Sequence, residues 1–381
     1  MTESLPPIAF VDLKEQYRRH KSDIDRRMQA VLDHGQFIMG PEVGELEQRL
    51  ADFSGAAHVV AVSSGTDALL VPLMAYGIGP GDAVFVPDFT FTATPEVVAL
   101  LGATPVFVDV NPDDFTLDPR DLRQRIDHVA ARSDLTPRAI IAVDLFGLPA
   151  DYPEIMDIAR ERDLHVLADS AQSLGGTMEG RQVGTLAPVT ATSFFPAKPL
   201  GCYGDGGAIL TDDPEMAAAA QSIRAHGKGM EKYDTVRIGL NARMDTLQAA
   251  ILLAKLDFFA EEIDARRRFA AAYDAKLPTA AMRPGRRGGC ESAWAQYTIR
   301  IEDRDRVAAA LKARGIPTAI YYPRPLHTQP AYRDLALETG DLAVATRLCG
   351  EVLSLPIHPY LTDESLDQVC REIQDMANGG E

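Results

Sequence analysis

The sequence predicts an α/β fold: a large, mostly parallel mixed sheet, then a smaller α+β region at the C-terminus. Three observations predict it. β-Branched runs alternate with helical stretches from residue 55 to residue 215, the runs are almost continuously apolar, and beyond residue 290 the order becomes strand, helix, strand. Alternation of this kind indicates a parallel sheet covered on both faces, and near-continuous apolar strands are what double-sided burial demands.

In chain order, strands are expected at 58–62, 83–87, 105–110, 139–146, 165–169, 190–194 and 208–211, with helices at 66–76 and 152–162 between them. Pro72 falls inside the first of these helices, where it removes a hydrogen bond and crowds the preceding turn, so a kink or a short first segment is expected. The stretch 246–277 contains no Gly or Pro and is rich in Ala, Leu, Glu and Arg, which predicts one long helix or two abutting ones. The Gly/Arg-rich stretch 284–289 reads as a boundary loop. A strand at 294–301, a helix at 304–314 and a strand at 318–322 follow. The expected division is 1–260 for an N-terminal arm and large domain, and 261–381 for the small domain.

The chain has 381 residues, 46% of them hydrophobic, with 38 Lys+Arg against 55 Asp+Glu and a net charge of −17. That length suits about two domains, and the hydrophobic fraction excludes disorder. So acidic a chain, without a basic cluster, is a poor nucleic-acid or anionic-membrane binder. The start lacks the basic-then-apolar run of a secretory signal, and no apolar stretch reaches the roughly 20 residues that span a bilayer. Cys202, Cys290, Cys349 and Cys370 form no CxxC pair, so neither a disulfide framework nor a metal site is expected. A cytoplasmic location is the expectation.

Chemistry concentrates around Lys198, which follows a strand end and precedes a run of glycines ending at Gly207. A lysine in a constrained, partly buried loop loses its proton cheaply because desolvation disfavours the ammonium. Its neutral amine can attack an aldehyde to form a Schiff base. A surface lysine in a glycine-rich turn is the plainer reading of Lys198 alone. Upstream, Asp169 ends a buried strand, where open parallel sheets bind ligands. A carboxylate there needs a partner, and a protonated pyridine nitrogen suits it; a helix cap is the alternative. Ser63-Ser-Gly-Thr66 joins a strand to a helix, and the N–H groups and dipole at that helix start favour a phosphate, although an ordinary N-cap reads the same way. Phe89 or Phe91, past the next strand, is placed to stack on a flat ring, with core packing as the alternative.

Taken together and in order, these residues resemble the DegT/DnrJ/EryC1/StrS family of sugar aminotransferases that use pyridoxal phosphate (PLP). The resemblance runs from Phe10-Val-Asp-Leu-Lys14 and Gly40-Pro-Glu42, through Ser64-Gly-Thr-Asp-Ala-Leu69, to Ser354-Leu-Pro356. It implies the fold type I architecture of PLP-dependent transferases. By position it implies Lys198 as the Schiff-base lysine and Asp169 as the partner of the ring nitrogen. Gln172 would contact the ring hydroxyl and Phe91 would stack on the ring. Gly65, Thr66 and Ser193 would hold the phosphate. Family members form homodimers with shared active sites, so Asn241 would bind the partner's phosphate and Arg243 an anionic substrate group, unless Arg243 pairs with Asp245 or another acid in its own subunit. The family's dehydratases carry His where this chain has Lys198, which favours transamination.

Among family branches, the run from Ser193 to Gly207 is most similar to aminotransferases acting on UDP-2-acetamido-2-deoxy-3-oxoglucuronate, which make a 3-amino sugar for O-antigen. The expected partners are therefore a UDP-sugar and an amino acid donor, glutamate by family habit. Arg243, His226, Lys228, Lys232, Arg324 and His327 are candidate cations for such a substrate, with Tyr321 and Tyr322 close to the sugar. The family commonly has His where Tyr321 stands, which leaves open another 3-keto or 4-keto sugar on dTDP or UDP. A non-catalytic, PLP-binding regulatory protein is the reading from a different class, and retention of Lys198, Asp169 and Gln172 weighs against it.

Overall fold

The computed structural model describes residues 8–132, 134–231, 233–335, 337 and 340–377. The strands are β1 (His58–Val62), β2 (Asp82–Pro87), β3 (Thr104–Val108), β4 (Thr136–Val143), β5 (His165–Asp169), β6 (Thr177–Met178), β7 (Arg181–Gln182), β8 (Val189–Ser193), β9 (Gly207–Thr211), β10 (Cys290–Glu291), β11 (Tyr297–Arg300) and β12 (Val352–Leu355). The helices are α1 (Leu13–His34), α2 (Pro41–Ser54), α3 (Gly65–Ala75), α4 (Ala93–Leu100), α5 (Pro119–Ala130), α6 (Tyr152–Arg162), α7 (Pro214–Ile223), α8 (Thr246–Leu256), α9 (Phe259–Lys276), α10 (Arg304–Ala313), α11 (Ala343–Glu351) and α12 (Asp363–Ala377).

The main sheet has seven strands in the order β1-β9-β8-β5-β4-β2-β3. β3, β2, β4, β5 and β8 run parallel, and β9 runs antiparallel to both β8 and β1. β1 therefore points the same way as β8. The carboxyl ends of β1, β2, β4, β5 and β8 all lie on one edge, and that edge carries the candidate site.

Successive side chains of a strand face opposite sides, which explains how apolar runs fill two cores. Val84 and Val86 pack with α3, α4 and α7 on one face, whereas Ala83 and Phe85 pack with α5 and α6 on the other. Val59 and Ala61 join a third cluster with α2 and α8. The C-terminal part pairs β11 with β12 antiparallel, and its core holds Tyr297, Leu311, Leu355 and Ile373. α9 serves both halves: Phe259 and Ile263 face the α2–α8 cluster, while Phe269 and Tyr273 belong to the C-terminal core.

Two expectations change, and a third is decided between its alternatives. The stretch 318–322 is not a strand: Ala319 alone bridges to Ser354, and the chain then turns through the Tyr321–Tyr322 pair toward the site. Of the one long helix or two abutting ones expected at 246–277, two form, separated at 257–258. α3 continues as one element through Pro72 to Ala75, so no short first segment forms. Pro72 is buried among the α3 core residues, and packing of Leu69, Val71 and Leu73 holds the helix together there.

Candidate active site

The α3 N-terminus makes a cradle. Ser64 caps the helix, its Oγ accepting from Asp67 N at 3.0 Å, while the N–H groups of Gly65 and Thr66 belong to the first turn and have no intrahelical acceptor. β8 and β9 press against this loop. A Cβ on Gly65 would lie 2.6 Å from Ser193 Cβ, and one on Gly207 would lie 2.3 Å from the Ser64 carbonyl oxygen. Only glycines permit that approach, and the result is a tight pocket edge of free N–H groups and a Ser193 hydroxyl. Such an edge suits a phosphate.

On the neighbouring strand to β8, Asp169 closes β5 and is almost wholly buried. Burial raises its carboxyl above the usual range. Opposing that rise are a hydrogen bond from Thr94 Oγ1 to Oδ2 at 2.9 Å, the nearby Lys198 ammonium and the Ala171 N–H. Lys198 shows the complementary shift: burial lowers its ammonium below the ordinary lysine value, and Asp169 partly restores it. The pair thus places a reluctant cation and a reluctant anion in one low-dielectric space.

The segment after Asp169 is held from below. Asp144, fully buried, accepts from Ala150 N at 2.8 Å, Tyr152 Oη at 2.7 Å, Ser170 Oγ at 2.6 Å and Ser173 Oγ at 2.7 Å. Gln172 Oε1 accepts from Phe146 N at 2.6 Å, which fixes its amide, and burial raises the pKa of the neighbouring Tyr322 hydroxyl. The two phenylalanines differ sharply. Phe89 is a core ring among Phe115, Phe146 and Tyr322, whereas Phe91 is 54% exposed with its ring 6.4 Å from that of Tyr322.

The structure brings Gly65, Thr66, Phe91, Asp169, Gln172, Ser193, Lys198 and Tyr322 to this one edge. Tyr321 lies beside Tyr322 and Phe10. His327 is placed by Asp88 just past β2: Nδ1 lies 2.6 Å from Asp88 Oδ2, and the His327 N–H donates to Oδ1 at 2.7 Å. The Asp88 carboxylate raises the imidazole's pKa. Arg243 does not pair with Asp245; its Nε donates to Asn241 Oδ1 at 3.0 Å, and Ser63 N binds the Ala242 carbonyl between them. His226, Lys228 and Arg324 are exposed, and Lys232 lies outside the described residues.

Sequence reasoning missed Thr94, Asp144 and Asp88. Asp88 had a signal, since it directly follows a strand end, as Asp169 ends its own. Thr94 and Asp144 become visible only when the sheet brings strands distant in sequence side by side.

The donor set fits PLP. The cradle offers N–H groups and a hydroxyl to a phosphate, Asp169 is a buried carboxylate suited to a protonated ring nitrogen, and Lys198 is an amine eased toward its neutral form.

Residues 18–374 match the DegT/DnrJ/EryC1/StrS aminotransferase family profile. The chain is 49% identical to the UDP-2-acetamido-2-deoxy-3-oxo-D-glucuronate aminotransferase of Pseudomonas aeruginosa, covering 95% of this chain and 98% of that protein. It is 40% identical to the pleiotropic regulatory protein of Geobacillus stearothermophilus over 97% of this chain and 98% of that one. A DegT DnrJ EryC1 StrS aminotransferase from Brucella abortus superposes with a TM-score of 0.95 at 47% identity, covering 97% of this chain and 99% of that chain. The PLP form of Spr1654 from Streptococcus pneumoniae superposes with a TM-score of 0.88 at 26% identity, over 99% of each. The chain belongs to the DegT/DnrJ/EryC1/StrS aminotransferase family, with PLP as its cofactor.

Proposed function

We propose that this aminotransferase moves an amino group from an amino acid, glutamate by family habit, to the 3-keto group of UDP-2-acetamido-2-deoxy-3-oxoglucuronate, for a surface polysaccharide. The Lys198–Asp169 pair carries the chemical reading, and the similarity to the Pseudomonas aeruginosa enzyme supports the acceptor.

PLP, when bound, supplies the aldehyde and the electron-withdrawing ring. Lys198 Nζ would hold the cofactor and, once free of it, would act as the base that takes the proton from the substrate carbon and as the acid that delivers it to the cofactor carbon. Burial, which lowers its pKa, favours the neutral amine that this role needs. Asp169, whose ionised form the Thr94 Oγ1–H favours against burial, would hold the proton on the ring nitrogen. Gln172, fixed by Phe146 N–H, reaches the ring hydroxyl. Phe91 offers the exposed ring face for stacking. Gly65, Thr66 and Ser193 bind the phosphate.

The enzyme works as a homodimer with shared sites. Asn241 then completes the partner's phosphate site, while Arg243 and His327 meet the anionic groups of the nucleotide sugar beside Tyr321 and Tyr322. Support comes from apolar residues left on the surface of the segment leading to Asn241: Ile238 is 82% and Met230 99% exposed in the single chain. The boundary between large and small domains falls within α9, which contributes to both cores. The free cysteines fit a reducing, cytoplasmic setting.

The test is to incubate the holoenzyme with glutamate and a panel of UDP- and dTDP-linked 3-keto and 4-keto sugars. Mass spectrometry should find one aminated product, from the 3-oxoglucuronate. Amination of another sugar would overturn the acceptor, and conversion of none would favour a regulatory protein.

A further inference from the structure

Lys255 is a buried cation that the proposed reaction does not use. It sits on α8 with 1% of its surface exposed. Its Nζ donates to the Gly201 carbonyl at 2.6 Å and lies 4.3 Å from the centre of the Tyr203 ring. The titratable groups facing it are Glu262 from α9 and Cys202 from the loop, and burial nevertheless draws its ammonium down to about 8. Isolating an ammonium in the core costs several kcal/mol, in order-of-magnitude terms, and a methionine would fill the same space without that cost. What lysine adds is a grip on a backbone carbonyl.

That carbonyl belongs to the turn that carries Lys198. Lys198 N donates to Phe195 O at 2.8 Å, and Cys202 N donates to Phe194 O at 2.8 Å, closing the turn on itself. Gly201 lies directly on the other side of it: a Cβ there would be 2.4 Å from Pro196 O and 2.7 Å from Phe195 O. A displacement of Gly201 is therefore transmitted through backbone contact to Phe195 and Pro196, and from Phe195 O to Lys198.

We propose that Lys255 is a positioning residue for Lys198, clamping Gly201 so that the Lys198 turn stays packed in its buried position beside Asp169. The inference rests on the reading of Lys198 as the amine that holds the cofactor. Without the clamp the turn loosens, water reaches Nζ, and the desolvation that favours its neutral form is lost.

The experiment uses competitive labelling of lysines with acetic anhydride in the apoprotein, read at Lys198 by peptide mass spectrometry across a pH series. Wild type, Lys255→Met and Lys255→Gln are compared, with circular dichroism to verify folding. In Lys255→Met the Lys198 midpoint should rise by about one unit, roughly a tenfold loss of neutral amine at a fixed pH below it. Lys255→Gln, which keeps an N–H donor, should recover part of that shift. Folded variants with an unmoved midpoint would overturn the proposal, even if they melt earlier, because a merely structural lysine would behave that way. If only the Gln variant folds, its midpoint decides by the same criterion. Failure of both to fold would assign Lys255 to stability alone and overturn the proposal too. Adding PLP to the wild-type apoprotein should protect Lys198 from the label. Absence of protection would refute the underlying site reading separately from the clamp.

Discussion

Replacing Thr94 by Val deletes one hydroxyl from a fully buried site and leaves the shape nearly unchanged. That hydroxyl donates to Asp169 Oδ2 at 2.9 Å, and its acceptor is a carboxylate already pushed toward protonation by burial. A hydrogen bond to a charged group contributes about 1.5–3 kcal/mol. At about 1.36 kcal/mol per pKa unit, its loss raises the Asp169 pKa by about one to two units. The sign follows from the role: protonated Asp169 can no longer hold the ring-nitrogen proton electrostatically, so activity is lost on the acid side. The assay is kcat/KM for the amino donor between pH 5 and 9. Thr94→Val should move the acid limb upward by about one to two units and approach wild-type rates at the alkaline end. Thr94→Ser, which keeps the hydroxyl, should restore the limb. An acid limb that stays in place in folded Thr94→Val would refute the reasoning, since Thr94 would then not be what keeps Asp169 ionised.

Gly65→Ala forces a Cβ to within 2.6 Å of Ser193 Cβ, so α3 and β8 must separate and the phosphate cradle opens. PLP titration of the apoprotein should show a Kd about tenfold or more higher, and an unchanged Kd would contradict the cradle. Asp88→Asn removes the anion that raises the His327 pKa. A raised folded-state pKa stabilises below the unfolded value of about 6.5 and is lost as pH climbs through the folded value, so the melting temperature should fall more at pH 6 than at pH 8.5. Equal losses at both would show that the pair is neutral. Mixing inactive Lys198→Ala and Asn241→Ala subunits should regain activity if sites are shared, and no recovery would argue for self-contained sites.

Much of this architecture was legible because strand runs such as His58–Val62 and His165–Asp169 are bounded by clear turn residues and buried on both faces. Lys198, Asp169 and the Ser64 cap were readable for the same reason: each falls at a strand end, and strand ends converge on one edge. What failed was tertiary. Tyr321 and Tyr322 look like β-formers, yet only Ala319 finds a strand partner, and the aromatic contacts of Tyr322 with Phe89 and Phe91 hold the segment instead. Pro72 breaks isolated helices, but α3 is clasped in the core and continues. The choice between Phe89 and Phe91 needed the fold, because the same motif sends one ring inward and the other outward. Thr94, Asp88 and Asp144 act through hydrogen bonds to residues brought near only by strand order or chain return, a relation that local pattern does not encode.

The central claim is that Lys198 is the amine that holds PLP. Borohydride reduction of the holoenzyme, followed by digestion and mass mapping, should fix the cofactor irreversibly on the peptide containing Lys198. Cofactor fixed instead to another lysine, such as the buried Lys255, or fixed to none, would contradict the account.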